Sequence, residues 1–340
     1  MPIQYEGIIA EHQAARTATA LFDTCHMGEF RIQGPSACAD LDALVSSRVD
    51  TIQVGQCRYG LLCNPEGGVI DDEITYRIAD DEFLMVVNAG TQDGDYEWVA
   101  SHLSADTTIE NESDRTAKLD VQGPGSAKLL QQLLSARLDE LKFYRFQHST
   151  CGDRPVLVSR TGYTGEMGFE VYCDVQTGVE LWDELVERGA TPAGLGARDT
   201  LRLEMGFPLY GHELSADRNA AESGLLRSIA VDKTFIGSDI VLDEARRKQR
   251  LVGLALEGRR AAREGDTVVD SEGRQVGVVT SGSFSPTLGR SIAMAYVDTG
   301  VAAAGTALSV RTARADLPAT VTETPFYREA TGRRPVREFM

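Results

Sequence analysis

Three stretches of this 340-residue sequence set residue types at spacings that could do chemistry. The first is Ala193–Leu214, AGLGARDTLRLEMGFPLYGHEL, where a turn at Gly194 and Gly196 opens a short amphipathic helix that Gly206 and Pro208 close. Arg198 and Arg202 stand four residues apart and share one helix face, an arrangement suited to an anion or carboxylate, while Leu201, Leu203 and Met205 can serve a core. The second is Asn64–Ile78, NPEGGVIDDEITYRI. On a strand, Ile70, Ile74, Tyr76 and Ile78 share one face and Val69, Asp71, Glu73, Thr75 and Arg77 the other, so periodicity singles out Asp72 as a carboxylate among apolar neighbours. An aspartate beside a glycine turn can equally bond backbone N–H groups. The third is Gly162–Tyr172, GYTGEMGFEVY, a loop ending in a strand where Glu170 and Tyr172 point one way and Phe169 and Val171 the other. A strand carboxylate such as Glu170 can accept two parallel hydrogen bonds, an argument that does not extend to Glu166 in the loop.

The elements that must position these residues follow from periodicity and punctuation. Helices are predicted at Ile8–Phe22, Ala37–Ser46, Thr91–Leu103, Ser126–Leu134 and Val179–Glu187. Strands are predicted at Gly28–Gly34, Tyr59–Cys63, Val69–Ile78, Phe83–Asn88, Leu119–Gln122, Val156–Arg160 and Phe169–Cys173. From about residue 245 short strands with glycine turns take over (Leu251–Leu256, Thr267–Val269, Gly277–Ser281, Ile292–Val297, Ala307–Val310), which resembles a small β-barrel. The mixture indicates α+β domains rather than a repeating βαβ fold. Gly123-Pro124-Gly125-Ser126-Ala127-Lys128 follows a strand and opens a helix, but it lacks the third glycine of a dinucleotide fingerprint and the GK[ST] ending of a P-loop. The nucleophile elbow GxSxG does not occur.

Composition excludes several classes. Lys plus Arg number 34 against 51 Asp plus Glu, a formal net charge of −17, which argues against general binding of nucleic acid or an anionic membrane surface. The basic runs at 244–250, 258–263 and 332–337 are local exceptions that could dock an acidic partner. Six cysteines without a CxxC pair and five histidines without HExxH spacing signal neither a disulfide framework nor a metal site, and reduced cysteines are expected. The N-terminal MPIQYEGIIAEHQAAR has no secretory apolar core, so a cytoplasmic location is expected.

The three stretches together resemble the signature segments of the aminomethyltransferase family, the T-proteins of the glycine cleavage system. Further matches are Asp23–Gly34 (DTCHMGEFRIQG), Arg58-Tyr59-Gly60, Val86–Gly90 (VVNAG) and Thr280–Pro286 (TSGSFSP). The resemblance implies an α+β fold of three domains arranged like a cloverleaf around a central folate channel. Domain 1 would be residues 1–45 with 135–240, domain 2 residues 46–134 carrying the catalytic aspartate, and the C-terminal β-barrel residues 245–340. It implies transfer of an aminomethyl carbon from a lipoylated carrier protein to tetrahydrofolate as co-substrate, with release of ammonia and no metal. In that family the first aspartate of the GGVIDD pair is read as catalytic, which maps to Asp71 and leaves Asp72 structural. The same carry-over makes Glu170 the residue that recognises the pterin ring through its 2-amino and N3–H donors, and Arg198 the folate-site arginine. Tyr59 and Asn88 become neighbours of the folate, Tyr163 its cover, and Arg202 a structural arginine paired with a carboxylate. Family members carry a segment ahead of the stretch matching MPIQY that this sequence does not include. Two relatives set alternatives: tetrahydrofolate-dependent demethylases of S-, N- or O-methyl compounds, and non-catalytic folate-binding proteins. The latter carry a cysteine in the segment that here reads DKTFIGSD (Asp232–Asp239).

Overall fold

The computed structural model describes residues 1–340 and builds them into two sheets and a barrel. The first sheet has six strands in the order Thr191–Pro192, Ala20–Asp23, Thr116–Gln122, Gly168–Asp174, Arg154–Ser159 and Phe146–Cys151, antiparallel except at the short first pair. The second is wholly antiparallel, in the order Gln56–Cys63, Val69–Ala79, Glu82–Val87, Gly28–Gln33 and Thr108–Asn111. Six further strands between Gln249 and Thr322 close into a barrel around a core of Leu254, Val268, Ala293, Ala295, Val297 and Val310, as the short glycine-punctuated strands led us to expect.

Strand alternation explains how both faces of each sheet come to be buried. In the first sheet Leu119, Val121, Phe169 and Val171 point to a core completed by Leu181 and Leu185 of the Val175–Glu187 helix, whose N-cap Asp174 accepts from Thr177. Lys118, Asp120, Gln122 and Glu170 of the same strands point the other way, and all are buried. In the second sheet Phe30, Ile32, Leu62, Met85 and Val87 pack beneath the Ala37–Leu44 and Gln92–His102 helices. Its opposite face meets the first sheet through Tyr76, Leu84, Val86, Leu157 and Tyr172. A polar, buried face therefore looks out from the first sheet toward the second, and this is what creates room for a site.

Two expectations are corrected here. The first helix spans Ile8–Thr17 rather than Ile8–Phe22. Ala20, Leu21 and Phe22 form a fully buried strand between Thr191–Pro192 and Thr116–Gln122, because tertiary pairing offers their backbone groups partners on both edges. The sheets also group the chain differently from boundaries at residues 45 and 134: Gly28–Gln33 lies in the second sheet and Thr116–Gln122 in the first. Besides Ala20–Asp23, four strands have no counterpart in the periodicity. Thr191–Pro192 is two residues long, Thr108–Asn111 and Phe146–Cys151 lie at sheet edges and are largely polar, and Asp316–Thr322 carries Pro318.

The barrel is clamped to the Leu195–Met205 helix by polar contacts. Arg202 donates from Nη2 to Ser281 Oγ at 2.7 Å and pairs through Nη1 with Glu213 at 2.9 Å, while Ser285 donates to Glu204. Both serines belong to the TSGSFSP segment, so that motif joins domains.

Candidate functional site

Between the two sheets and the Leu195–Met205 helix lies a cavity of about 1170 Å³. It is larger than the ~300–1,000 Å³ usual for small-molecule pockets and has room for two reactants. Its walls come from the second sheet (Tyr59, Asp72, Ile74), the first sheet (Lys118, Glu170, Tyr172), the helix (Arg198, Arg202) and the Phe207–Tyr210 and 224–232 loops. No barrel strand reaches it.

Glu170 is the floor. Lys118 Nζ stands 2.6 Å from its Oε1, and Thr161 and Tyr76 donate to its Oε2, the tyrosine at 3.4 Å. Burial pushes this carboxyl up, but Lys118 and the Thr161 hydroxyl outweigh burial and hold it below its ordinary value, so it stays charged. Beside it Asp120, raised by burial and by the Glu170 charge, accepts from Arg198 Nη1 at 2.9 Å. The Arg198 guanidinium lies 4.8 Å over the ring of Tyr163, which in turn stacks on Phe207 with ring centres 5.7 Å apart. Lys118, Asp120 and Thr161 escaped the sequence reading. The alternation of Lys118, Asp120 and Gln122 against Leu119 and Val121 was the signal for the first two, although it reads equally as a solvated face; Thr161, beyond the end of its strand, had none.

At the second sheet the structure separates the two aspartates. Tyr59 donates its hydroxyl to Asp72 Oδ2 at 3.0 Å and Asn88 Nδ2 donates to Asp72 Oδ1 at 2.7 Å, with Tyr59, Asp72 and Asn88 all lining the cavity. Asp71 points to the opposite face, fully buried beneath the Gln92–His102 helix. There it accepts from the Asn88 backbone N–H (2.8 Å), Asn88 Nδ2 (2.8 Å) and Thr91 Oγ1 (2.9 Å). Asp71, the aspartate to which the resemblance gives the catalytic role, therefore lies outside the cavity: consecutive strand residues face opposite ways, and of the pair only Asp72 lines it. Burial and the neighbouring Asp71 charge raise the Asp72 carboxyl above its ordinary value, against the pull of Tyr59 and Asn88. The glycines ahead of the pair set the turn: Gly67 adopts φ 82°, and a Cβ on Gly68 would lie 1.7 Å from the Ala216 carbonyl oxygen.

Of the other expected residues, Arg198, Tyr59, Asn88, Tyr163 and Glu170 converge on this one cavity. Arg202 borders it but is committed to Asp199, Glu213 and Ser281, so the two arginines do not form a joint clamp. Glu166 faces away, paired with Arg16 at 2.9 Å. His26 and Met27 join the wall from the DTCHMGEFRIQG segment.

Two buried acids on the second sheet make stability depend on pH. Glu29 and Glu73 are each pushed by burial to about 8 from an ordinary 4.5. Between those values the unfolded chain has released protons that the folded chain keeps, so stability falls as pH rises through that window. We expect a higher melting temperature at about pH 6.5 than at about pH 8, read by scanning fluorimetry; an unchanged or rising value would contradict the burial of these groups in neutral form.

Two family models match the chain: the GCVT N-terminal domain over residues 1–233 and the glycine cleavage T-protein C-terminal barrel domain over residues 249–328. Among curated relatives, an aminomethyltransferase of Halothermothrix orenii is 43% identical over 333 residues, 96% of this chain and 93% of that protein. One of Saccharopolyspora erythraea is 43% identical over 337 residues, 96% of this chain and 92% of that protein. The crystal structure of glycine cleavage system aminomethyltransferase T from Bartonella henselae superposes with a TM-score of 0.91 at 29% identity, covering 97% of this chain and 92% of that one. The second family model falls on the barrel and the first on the two sheets that enclose the cavity, and on these matches the chain belongs to the aminomethyltransferases of the glycine cleavage system.

Proposed function

We propose that the protein moves an aminomethyl carbon from the sulfur of a lipoyl group, borne on a carrier protein, to tetrahydrofolate with release of ammonia, and that the reactants meet in the cavity between the sheets. The observation that carries this reading is a pair of buried carboxylates of opposite character in one cavity. Glu170 is held charged by Lys118, and Asp72 is raised by burial and by a like charge.

The residues fit a reduced folate. Oε1 of Glu170 keeps a lone pair beyond the one used by Lys118, and the long bond from Tyr76 to Oε2 (3.4 Å) can give way, so the carboxylate can accept the paired 2-amino and N3–H donors of a pterin. Tyr59, Tyr163 and Phe207 supply flat apolar walls for its rings. Tetrahydrofolate, when bound, supplies the nitrogen that takes the carbon. Asp72 faces the cavity from a fixed cradle of Tyr59 and Asn88, placed to stabilise positive charge at the reacting centre and to accept its proton. Asp120 fixes Arg198, whose guanidinium lies over Tyr163 and holds that ring as a wall of the cavity. The donor carbon is already activated, so positioning supplies much of the rate.

For the carrier, exposed basic groups support docking at the cavity rim. Arg227 and Arg333 border the cavity, are exposed and have no carboxylate partner, whereas Arg246 and Arg247 of the 244–250 run pair with Asp243 and Glu244 in their own turn. An acidic carrier face would meet the rim arginines.

Turnover with a lipoyl-bound aminomethyl donor and tetrahydrofolate tests the reading. Ammonia and 5,10-methylenetetrahydrofolate are expected in equal amounts. Formation of 5-methyltetrahydrofolate from a methyl donor, without ammonia, would assign the protein to the demethylases instead.

A further inference from the structure

Behind Asp72, on the far face of the same strand, lies a second carboxyl pair that the reaction as described does not use. Asp71 and Asp95 are both fully buried. Asp95 comes from the first turn of the Gln92–His102 helix, and neither of its oxygens accepts a hydrogen bond; the Thr91 hydroxyl close by is given to Asp71 at 2.9 Å and favours the charged form of Asp95 less than burial and the Asp71 charge oppose it. Its carboxyl lies against that of Asp71, and neither is in an ion pair. Two touching carboxyls in a buried, uncompensated site cannot both ionise, so the pair holds one proton. The donors decide where it sits. Asp71 already accepts three hydrogen bonds, two from Asn88 and one from Thr91, and these favour its charged form. Asp95, raised by burial and by the Asp71 charge, keeps the proton.

Asn88 connects this pair to the cavity. Its Nδ2 donates to Asp71 Oδ1 at 2.8 Å and to Asp72 Oδ1 at 2.7 Å. An amide nitrogen has two N–H bonds, and here one is drawn by each aspartate.

We propose that Asp95 is a positioning residue for Asp72: its carboxyl proton is donated to Asp71, so that a single negative charge fixes the Asn88 amide and Asn88 in turn holds Asp72 toward the reacting centre. The inference rests on the placement of Asp72 at that centre. The groups facing the pair are Asp72 across the strand, Thr91 at the helix start and the Tyr210 hydroxyl from the loop beyond the Leu195–Met205 helix.

Asp95→Ala, Asp95→Asn, Asp72→Asn and the wild type are compared by ammonia release across pH. In Asp95→Ala, kcat is expected to fall about tenfold with KM within about twofold, the loss of one charge-assisted hydrogen bond. Without its donor Asp71 takes up a proton more readily and pushes Asp72 up less, so the acid limb of the pH profile moves to lower pH. Asp95→Asn, a neutral donor that cannot ionise, restores most of the rate and the acid limb, and carries activity further into the alkaline range. Wild-type kinetics in Asp95→Ala, or an Asp95→Asn as impaired as Asp95→Ala with an unchanged melting temperature, would overturn the proposal. Should Asp95→Ala not fold, an Asp95→Asn alkaline limb equal to that of the wild type overturns it. Independently of turnover, the infrared difference between wild type and Asp95→Asn at neutral pH should contain a protonated-carboxyl band, and its absence counts against the shared proton. Failure of the wild type to release ammonia would instead strike the functional reading, and an unimpaired Asp72→Asn the placement of Asp72.

Discussion

Replacement of Glu170 by alanine is expected to remove both stability and folate affinity. Lys118 is almost fully buried, and besides Glu170 its ammonium meets Thr24 Oγ1 at 3.4 Å, Met27 Sδ at 3.3 Å and the face of the Tyr172 ring, 5.8 Å from its centre. Without the carboxylate it becomes a buried charge without an ion-pair partner, felt by Asp120 and Glu29, and breaking such a pair costs about 3–5 kcal/mol. Tetrahydrofolate loses its charged acceptor in the same step, a loss of roughly 2–5 kcal/mol for a buried hydrogen-bonded charge, so its Kd should rise at least about thirtyfold. Glu170→Gln separates the two effects. It preserves the volume but presents an N–H₂ where one of two donors must be accepted, so affinity falls even if the fold survives. The sign with pH is also set. Glu170 has its folded value below 4.5, so its stabilisation is complete above that value and is lost as pH falls through the lowered one. Thermal melting and titration of the intrinsic fluorescence with tetrahydrofolate check this; affinity within a few-fold of wild type in Glu170→Ala would remove Glu170 from the folate site.

Much of this site was legible in the sequence, though not always by the strongest argument. Spacing placed Arg198 and Arg202 on one helix face, and both border the cavity, but their partners divide them. Arg198 reaches Asp120, 78 residues away in sequence, while Arg202 turns to Glu213 and Ser281 and joins the barrel. No local pattern encodes which carboxylate an arginine will meet. The aspartate pair teaches the reverse lesson. Strand alternation set Asp72 apart on an apolar face, and the family resemblance then moved the catalytic role to Asp71. Alternation is right about which carboxyl faces the cavity: Asp72 lines it, and Asp71 is bonded by Asn88 and Thr91 on the helix side. Lys118 was invisible for a physical reason: its counter-ion Glu170 lies 52 residues on in the neighbouring strand, and only the register Glu170–Asp120 brings the strands' polar faces together. The end of the first helix at Thr17 was likewise decided by strand partners at Thr191 and Gln122.

Asp72 carries the other large effect. Its carboxyl is the acidic group of the GGVIDD pair that touches the cavity, and its partners orient it without consuming it, since Tyr59 and Asn88 bond one oxygen each. A raised carboxyl near a developing cation is suited to taking up a proton around neutral pH, and such groups contribute roughly 10²–10⁴ in rate. Asp72→Asn keeps the shape and the contact with Tyr59 but removes the charge and the proton acceptor. Folate binding, anchored at Glu170, should change little. Asp71→Asn acts at one remove, through Asn88 and through the charge that raises Asp72, so its effect on rate should be far smaller, about tenfold or less.

The most direct measurement is therefore ammonia release by wild type, Asp72→Asn and Asp71→Asn side by side, with saturating tetrahydrofolate and a lipoyl-bound aminomethyl donor. The predicted result is a loss of kcat of at least about a hundredfold in Asp72→Asn with folate still bound, and a much milder loss in Asp71→Asn. An Asp72→Asn that turns over at the wild-type rate while Asp71→Asn is inactive would contradict the placement of the reaction at the cavity face of the strand.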